Sequence, residues 1–385
     1  MKVVIAPDSF KGSLNALEVA KAIERGIHRV SQGIITHLVP MADGGEGTVA
    51  ALVAAAGGEI IPAGVTGPLG GPVESYFGIL GDRETAVIEM AAASGLPLVP
   101  INERNPLYTT TYGTGELIKR ALDRGIKKII IGIGGSATND GGTGMASALG
   151  IRFLDVDGIE LPPGGGHLDR LYSIDVSGLD PRLQGADIRV ACDVTNPLCG
   201  PKGASAIYGP QKGATPEMVA RLDKNLAHYA EVAAGVTGMD VREMPGAGAA
   251  GGLGFGLVAL LGAKLMPGVQ IVLDAAKIDD LVHYADLVVT GEGQTDRQTL
   301  FGKAPAGVAA VANKYDIPVV CLSGGLAPGA EELYEHGFSG LFSITEGPIG
   351  LEQAMSEAGP LLERAAERII RLFLAGRKNL SKQAS

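Results

Sequence analysis

The sequence predicts an α/β protein: a Rossmann-like, doubly wound parallel-sheet domain assembled from both ends of the chain, with a second α/β domain inserted and a cleft between the two. Three observations point to doubly wound domains interrupted by an insert. Short, β-branched apolar runs lacking alternation read as parallel strands buried on both faces. Stretches of helical periodicity separate many of them. The strand–helix alternation is disturbed in the middle of the chain and resumes after about residue 285. The expected boundaries are 1–62 and 265–385 for the first domain and 63–264 for the insert. A plain division into N- and C-terminal halves is the alternative.

The elements follow in order. VVIA (3–6) is a strand and 14–30 a helix, with Ser13 as its N-cap. THLVP (36–40) is the next strand and 48–56 the next helix. Between 63 and 90, Gly and Pro turns separate strand-like pieces such as VESYFGIL, which predicts antiparallel hairpins. Helix 115–124 leads to the strand KKIIIGI (127–133), and DIRVA (187–191) is another strand. Helices 216–234 and 251–263 precede the strand ADLVVT (285–290). Helix 304–314, the strands PVVCL (318–322) and GLFSI (340–344), and helix 353–375 complete the chain.

Composition bounds the function. A chain of 385 residues is long for one core and suggests two domains. With 46% hydrophobic and 19% charged residues it is globular, and its 58 glycines imply many tight turns and close backbone approaches. The net charge of −10, with no long basic run, argues against nucleic acid as the main partner. Cys192, Cys199 and Cys321 form no CxxC pair, so free thiols in a reducing cytoplasm are expected. The apolar run at the N-terminus is too short for a signal peptide, and no apolar segment reads as a membrane span. An oligomer is neither indicated nor opposed.

Ligands of open α/β sheets bind beyond the carboxyl ends of the strands. Five predicted strand exits carry acids, amides, hydroxyls and glycines: APDSFKGS, PMADGGEGT (40–48), GIGGSATNDGG (132–142), CDVTNP (192–197) and GEGQTD (291–296). One such cluster is ordinary turn or cap chemistry; five together suggest a site. Glycine turns before helices offer amides to anions, and Lys11 and Lys303 offer point charges suited to phosphate. Asp8, Asp43, Glu46, Asp140, Asp193, Glu292 and Asp296 are too many acids for a bare phosphate site. They make sense if Mg²⁺ lies between carboxylates and phosphates and one further carboxylate takes a hydroxyl proton. That chemistry is nucleotide-dependent phosphoryl transfer to a small alcohol.

Other motifs are poorly supported. GAGAAG (246–251) matches GxGxxG but follows EMP instead of a strand, so close packing, or backbone contact with a ligand, at a helix start is its expected role. The chain has no GxxxxGK[ST]. Ser136 has no GxSxG frame, and the six histidines lie outside the clusters, which disfavours a Ser-His-Asp hydrolase or a histidine zinc site. Two rivals remain. An NAD-dependent 2-hydroxy-acid dehydrogenase would need a fingerprint after an early strand, and a non-catalytic sugar-acid-binding protein would not need so many carboxylates.

PDSFKGSL, MADGGEGT, GIGGSATNDGG, CDVTNPL, PGAGAAGGLG and TGEGQTD, in this order, resemble the bacterial glycerate kinase family (type 1, which includes glycerate 2-kinases), and the likeness runs from Met1 to about Ala375. The resemblance implies ATP-dependent phosphorylation of D-glycerate with Mg²⁺, giving ADP and a phosphoglycerate, with 2-phosphoglycerate the expected product ahead of 3-phosphoglycerate. It also implies two α/β domains facing each other across a cleft. Because phosphoryl transfer needs its reactants aligned and water excluded, a hinge motion closing that cleft is expected. By resemblance and strand-exit position, Asp193, Asp8, Lys11 and Asp296 are the catalytic candidates, with Asp193 preferred as base. Ser136, Thr138, Asn139, Gly291, Glu292, Gly293, Thr295 and Lys303 are expected on the nucleotide. Ser9, Asp43, Glu46, Asn196 and Arg297 are expected on the acceptor, with Asp43 and Glu46 near the wall that carries Asp8. Asp296, Glu292 and Asp140 are the expected metal ligands.

Overall fold

The run VVIA forms the centre of β1 (Lys2–Pro7), and Val3 to Ala6 are wholly buried because both faces of the strand are covered. The computed structural model describes residues 1–42 and 44–383. It divides into two units: Met1–Ala42, Ala50–Gly57 and Val272–Ser385 form the first, Asp43–Val49 and Gly58–Ile271 the second.

In the first unit, β1 lies between β2 (Ile35–Leu38) and β11 (Leu287–Thr295), followed outward by β12 (Val319–Leu326) and β13 (Phe338–Ser343). All these pairings are parallel. The order β2-β1-β11-β12-β13 is the 2-1-3-4-5 arrangement of a doubly wound sheet, and its switch point falls between β1 and β11. The helix Ala16–Val30 buries Val19, Ile23 and Ile27 in a core shared with Leu361, Leu362 and Ile369 of the helix Ala358–Gln383. Its N-cap is Asn15, not Ser13. Asn15 accepts from the Glu18 amide and Glu18 returns the bond to the Asn15 amide (both 2.9 Å), a reciprocal cap that a serine two residues earlier cannot form. The Ser13 hydroxyl instead donates to the Met355 carbonyl.

The second unit has a six-stranded mixed sheet. β3 (Gly58–Thr66), β4 (Pro72–Leu80) and β5 (Thr85–Glu89) pair antiparallel, as the hairpin pattern predicts. β5 then pairs parallel with β6 (Lys128–Gly132), β6 with β9 (Asp187–Ala191), and β9 with the short β10 (Lys264–Met266). A hairpin of β7 (Arg152–Leu154) and β8 (Ser173–Asp175) stands apart from this sheet. The unit has its own core, from Ala63 to Ala263, in which Tyr229 stacks edge-on against Phe153 and Phe255. GAGAAG does serve packing. Gly251 has φ +68°, and a Cβ there would sit 2.0 Å from the Thr138 carbonyl.

Candidate active site

At the carboxyl edge of the first unit, Pro7 of β1 is level with Gly291 of β11, and the Asp8 amide donates to the Gly291 carbonyl (2.8 Å). Asp8 Oδ1 accepts from the Ser9 amide (2.6 Å), Lys11 is exposed, and the backbone of Phe10 and Lys11 passes beside Gly293. Asp8, Ser9 and Lys11 thus adjoin GEGQTD at the switch point. GEGQT is not a strand exit, however. β11 continues to Thr295 because β12 pairs with it as far as Thr295 opposite Leu326, and that ladder overrides two poor strand formers, Gly291 and Gly293.

Glu292 points inward from this extension and is 6% exposed. Its Oε1 accepts from Thr295 (3.1 Å) and Thr299 (2.5 Å), and its Oε2 from Lys303 (3.1 Å). Thr295 also shares a 2.6 Å bond with Ser323. Asp296 caps the turn Arg297–Leu300 through the Gln298 amide (2.8 Å) and lies 3.8 Å from Lys303. Arg297 pairs with Glu332 (3.1 Å) on the surface, with about two thirds of its side chain exposed, so its charge is already matched away from the cluster.

In the second unit, the segment Gly44–Val49 lies over the carboxyl ends of β5, β6 and β9. The Val49 amide donates to Glu89, the last residue of β5 (2.7 Å). The Gly134 amide donates to the Gly44 carbonyl (3.3 Å), and a Cβ on Gly44 would meet Ala191 at 2.5 Å. Gly132 has to be a glycine, because its Cβ would stand 2.5 Å from the Gly44 carbonyl. Glu46 is exposed on this segment. The neighbours of Glu46 in this segment contact the second unit's strand ends. Asp43 lies outside the described residues. Burial raises the pKa of Glu89, opposed by the amides of Val49 and Gly47, and the Tyr76 hydroxyl stands 3.3 Å away with its own pKa pushed up to about 12 by burial and by Glu89.

The loop after β6 holds the expected Ser136, Thr138, Asn139 and Asp140. Asp140 is fully enclosed, and its carboxylate accepts from the Thr111 amide (2.9 Å) and hydroxyl (2.8 Å), the Gly142 amide (3.1 Å) and the Gly144 amide (3.2 Å). This corrects the metal assignment: four donors occupy its two oxygens, so it shapes the turn into the helix Thr143–Ala148. Thr138 and Asn139 are also fully enclosed, which leaves a nucleotide no access to their side chains. Asn139 donates to Ser205 (3.0 Å), whereas Thr138 Oγ1 and Asn139 Oδ1 have no hydrogen-bond partner among the described residues. Ser136 keeps 7% exposure and meets Lys212 Nζ at 2.7 Å.

Beyond β9, Asp193 is exposed, and its Oδ1 accepts from the Gly268 amide (2.9 Å). Asn196 has both ends of its amide engaged, donating to the Lys202 carbonyl (2.8 Å) and accepting from Tyr208 (2.7 Å). These two bonds tie Asn196 into its loop.

The family model described as "Glycerate kinase family" matches residues 3–374. The chain belongs to the glycerate kinase family. A glycerate kinase of Bacillus subtilis (strain 168) is 56% identical over 369 residues, 96% of this chain and 97% of that protein. A glycerate 2-kinase of Escherichia coli (strain K12) is 52% identical over 98% of this chain and 100% of that one. The crystal structure of putative glycerate kinase 2 from Salmonella typhimurium LT2 superposes with a TM-score of 0.90, at 50% identity, over 98% of this chain and 99% of that one.

As a member of the glycerate kinase family the chain is an ATP-dependent small-molecule kinase. Its described residues do not build a metal cage. Among the described residues no group of three or more His, Cys, Asp and Glu is arranged to hold an ion, and both Glu292 oxygens are taken by Thr295, Thr299 and Lys303. An ion that arrives with the nucleotide needs no such cage, because Mg²⁺ keeps phosphate and water oxygens and takes one or two carboxylates. Sequence reasoning missed Thr299 and Ser323, which complete the Glu292 network, and Glu89 and Lys212. Glu89 carried a usable signal, an acid ending the apolar strand TAVIE, but it fell in the region read only as hairpins. Lys212 sits in GPQKG, where only its turn context was visible.

Proposed function

We propose that the protein is a glycerate 2-kinase, transferring the γ-phosphoryl group of ATP to the 2-hydroxyl of D-glycerate to give ADP and 2-phosphoglycerate. The observation that carries this reading is the near-full-length likeness to a protein named glycerate 2-kinase. Mg²⁺ enters as part of the nucleotide substrate. Lys11 and Lys303 supply positive charge for the phosphates, and Asp8 and Asp296 are the carboxylates at the switch point of the first unit that an accompanying ion can meet. Asp193 takes the hydroxyl proton, with its carboxylate oriented by the Gly268 amide. Ser9 and Glu46 are further polar contacts for the acceptor. The reaction belongs in the cytoplasm, in keeping with three free thiols, and among the described residues no helix is long and apolar enough to cross a membrane.

NMR of the product formed from ATP, Mg²⁺ and D-glycerate tests the activity. Phosphorus coupling to the proton at C2 supports the reading, coupling at C3 moves the product to 3-phosphoglycerate, and absence of a phosphorylated product refutes it. For the roles, Asp193→Asn and Asp296→Asn are each expected to lower kcat by about 10²-fold or more, the lower range for acid–base groups. Near-normal rates in either remove that residue from the mechanism.

A further inference from the structure

Lys212 ends the turn Pro210–Lys212 with its side chain directed into the second unit and only 1% exposed. Its ammonium donates to Ser136 Oγ (2.7 Å) and to the Thr138 carbonyl (2.6 Å). A charged lysine has three donors and no acceptor. Ser136 Oγ must therefore accept this bond, and the hydroxyl proton has to point elsewhere. Solvent is one direction open to it. Ser136 retains 7% exposure beside half-buried Gly134 and exposed Gly135, where the loop leaves the carboxyl end of β6. Removing an ammonium from water is costly, and holding the Thr138 carbonyl alone does not require a charge.

We propose that Lys212 is a positioning residue that turns the Ser136 hydroxyl outward as a donor to a substrate oxyanion, either a carboxylate or a phosphoryl oxygen. The choice of anions rests on the glycerate kinase reading; the geometry of the pair does not. The buried charge also places positive potential behind the glycine loop, where little water screens it. The charged group facing Lys212 is Asp140, and burial brings the lysine's pKa down to about 7 with Asp140 opposing the fall.

Calorimetric titration of D-glycerate and of MgATP, at about pH 6 where Lys212 carries its charge, tests the proposal. The proteins are wild type, Ser136→Ala, Lys212→Met and the double variant. Each single variant is expected to lose about tenfold in affinity for one of the two ligands, the scale of one hydrogen bond to a charged group, and the double variant no more than either single. A loss confined to D-glycerate assigns the hydroxyl to the carboxylate; a loss confined to MgATP assigns it to a phosphoryl oxygen. Unchanged affinity of Ser136→Ala for both ligands overturns the proposal, as do losses that multiply in the double variant. If Lys212→Met does not fold, wild type and Ser136→Ala are compared from about pH 6 to about pH 9. The wild type's advantage then shrinks as the lysine loses its proton, and an advantage constant with pH overturns the proposal. Binding is read without turnover, so a wild type that binds both ligands but phosphorylates nothing refutes the proposed function and leaves this test intact.

Discussion

A lysine and an aspartate enclosed in the same loop region, Lys212 and Asp140, respond to burial in opposite directions. Burial lowers the lysine from 10.5 to about 7 and raises the pKa of the aspartate despite its bonds from Thr111, Gly142 and Gly144. For Lys212 the linkage has a definite sign. Below about pH 7 both folded and unfolded chains carry the proton; from there to about pH 10.5 the unfolded chain binds a proton that the folded one lacks, so this residue's contribution to stability climbs with pH. In urea unfolding, wild type is expected to gain on Lys212→Met by up to about 1.4 kcal/mol per pH unit across that window. A difference that is flat or shrinks with rising pH contradicts the assigned environment. Asp140→Ala strips the acceptor from four buried donors and is expected to cost about 3 kcal/mol or more. Its residual activity should keep the wild-type dependence on Mg²⁺ concentration; a weakened dependence would restore Asp140 as a metal ligand.

The segment Gly44–Val49 shows how an element is held by the ends of other elements. Glu89 closes β5 and accepts the Val49 amide at the start of the helix Thr48–Ala56, where orphan amides need acceptors. Glu89→Gln keeps an acceptor and is expected to leave the segment docked. Glu89→Ala leaves buried amides unpaired at about 1–3 kcal/mol, and hydrogen exchange at Val49 should speed up in that variant alone. Equal exchange in both variants would mean that the backbone contacts at Gly132 and Gly134 hold the segment without Glu89. Gly132→Ala tests those contacts, because its Cβ would stand 2.5 Å from the Gly44 carbonyl. Faster proteolysis within 44–49 is expected, and an unchanged cleavage pattern argues against close approach. The sequence marked PMADGGEGT as a cluster but not Glu89 as its acceptor, since its nearest neighbours in sequence, β2 and the helix after it, do not supply that acceptor.

On the scale of the whole molecule, the second unit takes seven residues, Asp43–Val49, from a stretch of chain otherwise flanked by the first. A fragment 43–271 is therefore expected to unfold at higher urea than a fragment 58–271, by about 1–3 kcal/mol for the amides that Glu89 would lose. Equal stability would show that the segment adds nothing to this unit. The α/β class, the parallel strands near both termini, the hairpins around 63–90 and the ordered motifs of the glycerate kinase family were legible in the residues, because strand and helix periods and turn chemistry act over a few positions. The Asn15 cap, the continuation of β11 through GEGQT and the engagement of Asn196 and Arg297 were not, because each depends on a partner that local pattern does not name. The sequence by itself determined the elements and the polar loops that follow them. Only the tertiary structure decided that the carboxylates of Asp140 and Glu292 are saturated, and that Lys212 stands behind Ser136, 76 residues away. A hydrogen bond across such a span leaves no period in the chain; it exists only once two loops share the same small volume.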